Sequence, residues 1–404
     1  MFLRIPLMPH SFAYVMILCL FVSCSNSTRV EMKNEKHGSL KAVKTLTAGN
    51  EKKFPLDSLS APRPPYIQIY NDDSGKEYLA MLSGYSKNIF VYNYDSAGTA
   101  VNQIPIGAIQ MPLAFHIRNM DSIYVYNDKM MEMILLNNKS EIVSKVSLIN
   151  NENMKDLSWA NRYPQYVPHT VNPILEHEGK LVFPGQFIWT LPDTVAQNFK
   201  FTSLIDINSN KVNYVHKYPY EIYGHGYIWD EPLFTAVYHE AMPDNKRIIY
   251  SFPVSHDLII SDLDGEQQQR VYGGSNEAAS ISSFDAGKFK TKSGVSKEYI
   301  YQKGCTSDLY GGILYDKYRD VYYRFLRKAL PEKSTRLRWE NKKVAVVVMD
   351  KDFKYLGETE IGDLNEFYPE NAFVTREGLN VEYVAPNDVD EKFLTFKIFT
   401  LKDI

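Results

Sequence analysis

Two ring-rich segments carry the residues best suited to recognition. The first, within residues 149–172, holds Trp159, Tyr163, Tyr166 and His169. The second, within residues 217–232, holds Tyr220, Tyr223, His225, Tyr227 and Trp229, with Gly224 and Gly226 flanking the imidazole. Aromatic faces with polar edges stack on sugars, peptides and flat ligands, and they anchor protein interfaces. The same side chains also plug a channel mouth or seal one sheet against the next. Two glycines free the backbone around His225, whose imidazole changes charge near neutrality. A lone histidine is more often structural than catalytic.

Other chemistries find less support. His225, Asp230, Glu231, His239 and Glu240 offer imidazole and carboxylate groups that suit zinc or calcium. Their spacing forms neither an HExxH helix nor an EF-hand loop, so no cofactor is expected. Residues 84–88 place Gly84 and Ser86 as a nucleophile elbow would, but Asn88 stands where the second glycine belongs. Gly273 and Gly274 lack a following Gly-Lys pair for a phosphate loop. Cys305 has no local histidine pattern and is expected to be quiescent. Residues 324–343 are strongly basic; Arg336 and Arg338 there suit an anionic glycan, a headgroup or an acidic partner, or simply form a solvated loop. Arg319 and Arg324 are expected to pair with Asp316 and Asp320.

Behind these loops stands a repeat. An apolar strand, a turn of Asp, Asn, Gly or Ser, and a second alternating strand recur at 89–94 with 100–106, 133–136 with 142–148, 201–205 with 212–217, 258–260 with 267–272, and 344–349 with 355–361. Asp, Asn and Gly tolerate left-handed backbone and bond their own main chain, which closes such turns. Further strand pairs precede each unit, for example 113–117 with 123–126, 233–238 with 247–252, and 312–315 with 321–325. Four strands repeated every ~40–60 residues mark propeller blades. The last unit, 372–375, 379–384 and 393–399, lacks a strand, and the orphan strand 40–46 would complete it. The expected fold is therefore all-β, a six-bladed β-propeller closed by an N-terminal strand in the last blade. Seven blades, or two separate sandwiches, are the alternatives. Connections between blades share one face with the loops joining second and third strands. The long segments 149–172, 217–232, 274–308 and 329–341 all fall there, and long loops on a rigid scaffold usually carry function.

Composition agrees with one repeat-built body. The 404 residues are 44% hydrophobic and 23% charged, with 29 Tyr and 21 Phe, which favour half-buried strands. A formal charge of −3 argues against nucleic-acid binding, and three cysteines exclude a disulfide framework.

The first residues read as an address. Residues 1–23 have a positive start and a short apolar stretch that Pro6 and Pro9 bound, too short to span ~30 Å of hydrocarbon. Leu20-Phe21-Val22-Ser23-Cys24 resembles a bacterial lipobox, with Phe21 in place of the usual aliphatic residue. That resemblance implies cleavage before Cys24, acylation of its sulfur and anchorage through multiple acyl chains. Ser25, rather than Asp, points to the outer membrane; the alternative is a secreted protein cut nearby. Residues 24–39 are polar and read as a flexible lipidated tether, with 40–404 as the propeller.

The run 312–325, with Tyr315, Asp316, Arg319, Asp320, Tyr322, Tyr323 and Arg324, resembles the signature hairpin of an uncharacterised Bacteroidetes lipoprotein family of TolB-like six-bladed propellers. The resemblance implies a fold and a location but no catalytic residues. The expected function is binding of an envelope protein, peptide or glycan through the long-loop face. A propeller hydrolase or lyase with a channel-mouth His and carboxylate is the alternative, and a purely structural envelope component is a third.

Overall fold

The computed structural model describes residues 29–404 apart from 73, 190, 192, 230, 245, 286–295 and 333–336. The leader, Cys24, Asp230 and Arg336 lie outside the described residues.

Six four-stranded antiparallel sheets follow one another along the chain. A short strand β1 (Glu31–Lys33) and a long β2 (Lys44–Pro55) come first. Blade one is β3 (Ile67–Asn71), β4 (Glu77–Ser83), β5 (Asn88–Asn93) and β6 (Asn102–Pro105). Blade two is β7 (Pro112–Asn119), β8 (Ser122–Asn127), β9 (Glu132–Leu136) and β10 (Ile142–Ser147). Blade three is β11 (Leu175–His177), β12 (Lys180–Pro184), β13 (Lys200–Asp206) and β14 (Val212–Lys217). Blade four is β15 (Tyr238–Ala241), β16 (Arg247–Ser251), β17 (Asp257–Asp262) and β18 (Gln268–Tyr272), followed by β19 (Ser280–Ser282). Blade five is β20 (Leu309–Asp316), β21 (Val321–Arg327), β22 (Lys343–Asp350) and β23 (Tyr355–Asp363). Blade six is β24 (Phe367–Thr375), β25 (Gly378–Tyr383) and β26 (Phe393–Asp403), with β2 paired outside β26. This is the six-bladed propeller that the strand repeat predicts.

Local chemistry explains the strands. Central strand β22 is buried on both faces along Val344 to Met349, because neighbouring blades cover it from each side. The hairpins are closed by side chains that replace missing ladder bonds. Asp206 Oδ1 accepts from the amides of Asn208 (3.1 Å) and Ser209 (2.7 Å). Asp350 Oδ1 accepts from Asp352 (2.9 Å) and Lys354 (2.8 Å) in the same way.

Several boundaries differ from expectation. The N-terminal partner of β26 runs from Lys44 to Pro55 rather than over 40–46, with Thr45 opposite Lys402 and Phe54 opposite Leu394. Residues 31–33, inside the expected tether, pair with β19, and the buried Asn34 amide donates to the carbonyls of Ser275 (2.6 Å) and Ala278 (2.7 Å). The strand expected over 233–238 begins only at Tyr238. Pro232 opens a helical turn, Pro232–Thr235, from Glu231 at φ 75. A ten-residue helix, Lys297–Thr306, is capped by Ser296, whose side chain accepts from the Tyr299 amide.

The signature hairpin also departs from the expected pairing. Arg319 does pair with buried Asp316, at 2.9 Å. Arg324 instead reaches into blade four. Its Nε donates to Ser251 Oγ (2.9 Å), Nη1 to the carbonyls of Gly273 (3.0 Å) and His256 (3.2 Å), and Nη2 to those of Ser255 (2.9 Å) and Phe252 (3.3 Å). The guanidinium lies 3.9 Å from the Tyr310 ring centre. These carbonyls lie at the ends of strands β16, β17 and β18, and those of His256 and Phe252 also accept the amides of Gly273 and Ser255.

Candidate functional site

The chain between blades two and three enters the mouth of the central channel. Asp156 caps a short helical turn, Leu157–Asn161, by accepting from the Ser158 amide at 3.0 Å, and this turn presents Trp159. Gln165 then exchanges backbone hydrogen bonds with Gln186 at 2.8 and 2.9 Å, while its side chain donates to the Ala160 carbonyl at 3.0 Å. The approach is close: a Cβ on Gly185 would lie 2.7 Å from the Gln165 oxygen, so only glycine fits. Tyr166 stacks on Phe183 with ring centres 4.3 Å apart and meets Tyr126 edge-on at 5.3 Å.

Residues 169–173 then cross the channel as a plug. Thr170 Oγ1 accepts from the Ile67 amide (2.9 Å) and donates to Asn371 Oδ1 (2.8 Å). The Val171 amide donates to the Glu370 carbonyl at 3.1 Å. His239 holds the Asn172 side chain and the Pro173 carbonyl, the latter at 2.7 Å, with its two ring nitrogens. Val171 packs so tightly against β20 that a Cβ on Gly312 would stand 2.6 Å from its own.

Above the plug, on the long-loop face, lies a cavity of about 500 Å³. Trp159, Tyr126, Tyr166, Met131, Met154 and Tyr368 supply apolar walls, and His169, Gln165 and Asp128 supply polar edges. Trp159 is buried, and its Nε1 has no hydrogen-bond partner among the described residues. Burial holds the His169 imidazole below its ordinary pKa although Glu370 is near, so it stands neutral. A neutral imidazole beside aromatic and thioether walls suits an apolar ligand with one polar end.

Below the plug is a second cavity of about 350 Å³, walled by the first strand of every blade. Its polar residues are Gln68, His116, Glu176, Glu240, Tyr315 and Lys317. Hydrogen bonding to His116, 3.4 Å away, and the charge of Arg118, at 3.0 Å, hold the Glu176 carboxyl below its usual range. Glu240 moves the other way: burial pushes it up to about 7, although the amides of Ala241 (2.8 Å) and Tyr315 (3.3 Å) donate to it.

The residues singled out from sequence separate into distinct places. Trp159 and Tyr166 meet at the upper cavity, with Tyr163 just outside, packed on Tyr214 at 5.2 Å. Tyr223 and Trp229 are core: the Tyr223 hydroxyl donates to the Phe234 carbonyl (3.0 Å) and Trp229 Nε1 to that of Ile222 (2.8 Å). Both seal the loop instead of offering a face to a ligand. Tyr220, His225 and Tyr227 form a separate surface cluster, the imidazole 4.6 Å from one ring and 5.7 Å from the other. None of the three lines the cavity beside Trp159. Arg338 is exposed. Among the described residues no three His, Cys, Asp or Glu side chains gather as a metal site, and His239 has both nitrogens occupied. Cys305 is buried and its thiol is pushed up by burial.

Sequence reading missed the walls contributed by Tyr126, Met131, Met154 and Tyr368, and of the lower cavity it singled out Glu240 and Tyr315 without grouping them as a site. The prolines at 164, 168 and 173 were the available signal for an extended plug.

Comparison with known proteins bears on the fold. A solved member of the DUF4221 family from Bacteroides vulgatus superposes with a TM-score of 0.72 at 19% identity, covering 90% of this chain and 99% of its own. A Bacteroides fragilis protein described as a candidate exported protein gives 0.48 at 13% identity over 91% and 98%. Virginiamycin B lyase from Staphylococcus aureus gives 0.42 at 9% over 88% and 99%. No curated protein matches the chain significantly. Residues 44–360 match the model of the domain of unknown function DUF4221, and with that span the chain belongs to this family.

Proposed function

We propose that this propeller is an extracytoplasmic binding protein, lipid-anchored through Cys24 to the outer membrane, that takes an apolar ligand or partner segment into the cavity beside Trp159 and Tyr166. One observation supports the reading most: the largest aromatic and thioether lining on the long-loop face surrounds a 500 Å³ space with a neutral histidine at its floor. Such a lining recognises shape and apolar surface, with His169 or Gln165 reading one polar end. Titration with alkyl and aromatic probes should give a saturable change in tryptophan fluorescence. Met154→Arg, which places a charge in a half-buried wall, should abolish it while leaving the unfolding midpoint near that of the parent chain. Equal binding by the variant would reject the cavity.

A second reading rests on the lower cavity. A channel carboxylate pushed up to about 7 is suited to proton transfer near neutrality, as a hydrolase or lyase needs. Glu240→Gln abolishing a turnover would favour it. Anchorage is tested separately, by alkyne-palmitate labelling that disappears in Cys24→Ala.

A further inference from the structure

The long-loop face carries most of the apolar side chains that remain in solvent. Ten of the seventeen large hydrophobic residues that stand exposed among the described residues sit on inter-blade connections or on the loops joining second and third strands. They include Leu157 at 64% exposure, Val389 at 87% and Tyr85 at 63%, together with Met130, Trp189 and Tyr301. The opposite face is made of hairpins led by Asp206, Asp350 and similar polar residues. Soluble surfaces seldom concentrate apolar groups on one side, and Trp and Tyr favour the membrane interface.

The N-terminal segment leaves from that same face. Strand β1 is pinned to β19, in the connection between blades four and five, and Ser283 donates its amide to the Val30 carbonyl at 2.9 Å. Five residue steps separate Arg29 from Cys24, and a chain of that length spans at most ~18 Å. The body therefore cannot swing freely about a long leash.

We propose that the long-loop face lies on the lipid bilayer, with Leu157, Trp189, Val389 and Met130 dipping into the interface around the cavity mouth. The inference rests on acylation of Cys24, the reading given above. It adds that whatever enters the upper cavity is presented by the membrane, whereas the lower cavity opens away from it. Two weak signals then act together, since an acyl anchor and an interfacial apolar rim reinforce each other.

The test uses the full processed chain, its mass measured, on phosphatidylethanolamine and phosphatidylglycerol vesicles with brominated acyl chains. Trp189 fluorescence should be quenched, and a tryptophan at the hairpin face (Val143→Trp in a Trp189→Phe background) should not. Changing Leu157, Trp189 and Val389 together to Asp should weaken vesicle binding of the unacylated chain (Cys24→Ser) about tenfold for each residue removed. An acylated protein with unquenched Trp189, or equal quenching at both faces, overturns the docking. An unmodified Cys24 in native protein rejects the anchor, and quenching of Trp189 in that same sample still decides the face.

Discussion

The hairpin face and the long-loop face are built by different physics. On the hairpin face each turn is closed by its own residues, as when Asp350 caps the amides two and four positions on. On the long-loop face the backbone finds partners far away in sequence: Thr170 is held by Asn371, and Arg324 bonds the loop carbonyls of blade four. Local closure leaves a polar, self-sufficient surface. Distant closure allows long segments to stay irregular, expose apolar groups and enclose cavities.

The comparison can be broken most forcefully at Arg324. Arg324→Ala takes the guanidinium from five buried acceptors, of which the Phe252 and His256 carbonyls keep the amides of Ser255 and Gly273, and should cost about 3–5 kcal/mol in urea unfolding. Arg324→Lys should not restore the parent value, because an ammonium lacks the fork. Gly312→Ala sets a methyl against Val171 and should cost about 1–3 kcal/mol, with faster hydrogen exchange at residues 169–173.

Acidity offers a test inside the channel. Glu240 rises from its ordinary 4.5 to about 7 on folding, so the folded state binds the extra proton. Its stabilisation is complete below pH ~4.5 and lost as pH climbs through ~7. Glu240→Gln should therefore flatten the decline in stability across that window and gain relative to the parent above it. Glu382, likewise raised to about 7 by burial, should keep part of the slope.

Smaller effects sharpen the contrast. Asp350→Ala removes a turn closure and should cost about 1 kcal/mol, recovered by Asn but not by Ser. Val143→Ser, exposed on the hairpin side, should stay within about 0.5 kcal/mol in calorimetry and leave vesicle binding unchanged.

This division also sets what could be read from the amino acids alone. The third and fourth strands of five blades were visible, because alternation and an Asp- or Asn-led turn are written within about fifteen residues. The three-residue β11 and β19 were not, since such short strands exist only through their neighbours. The aromatic loops were recognisable as important but not divisible by role. Trp159 at a cavity and Trp229 in the core have the same composition, and only the Ile222 carbonyl that meets the second indole separates them. Arg324 was placed in the right hairpin, yet its partners lie up to 73 residues away.

The crossing of residues 169–173 means that the ring is not a pipe. It is two shallow cups set base to base, sharing one thin bulkhead of backbone. Residues 165–169 line one cup, and Thr170 with residues 173–176 lines the other, so a single stretch of chain furnishes the base of both.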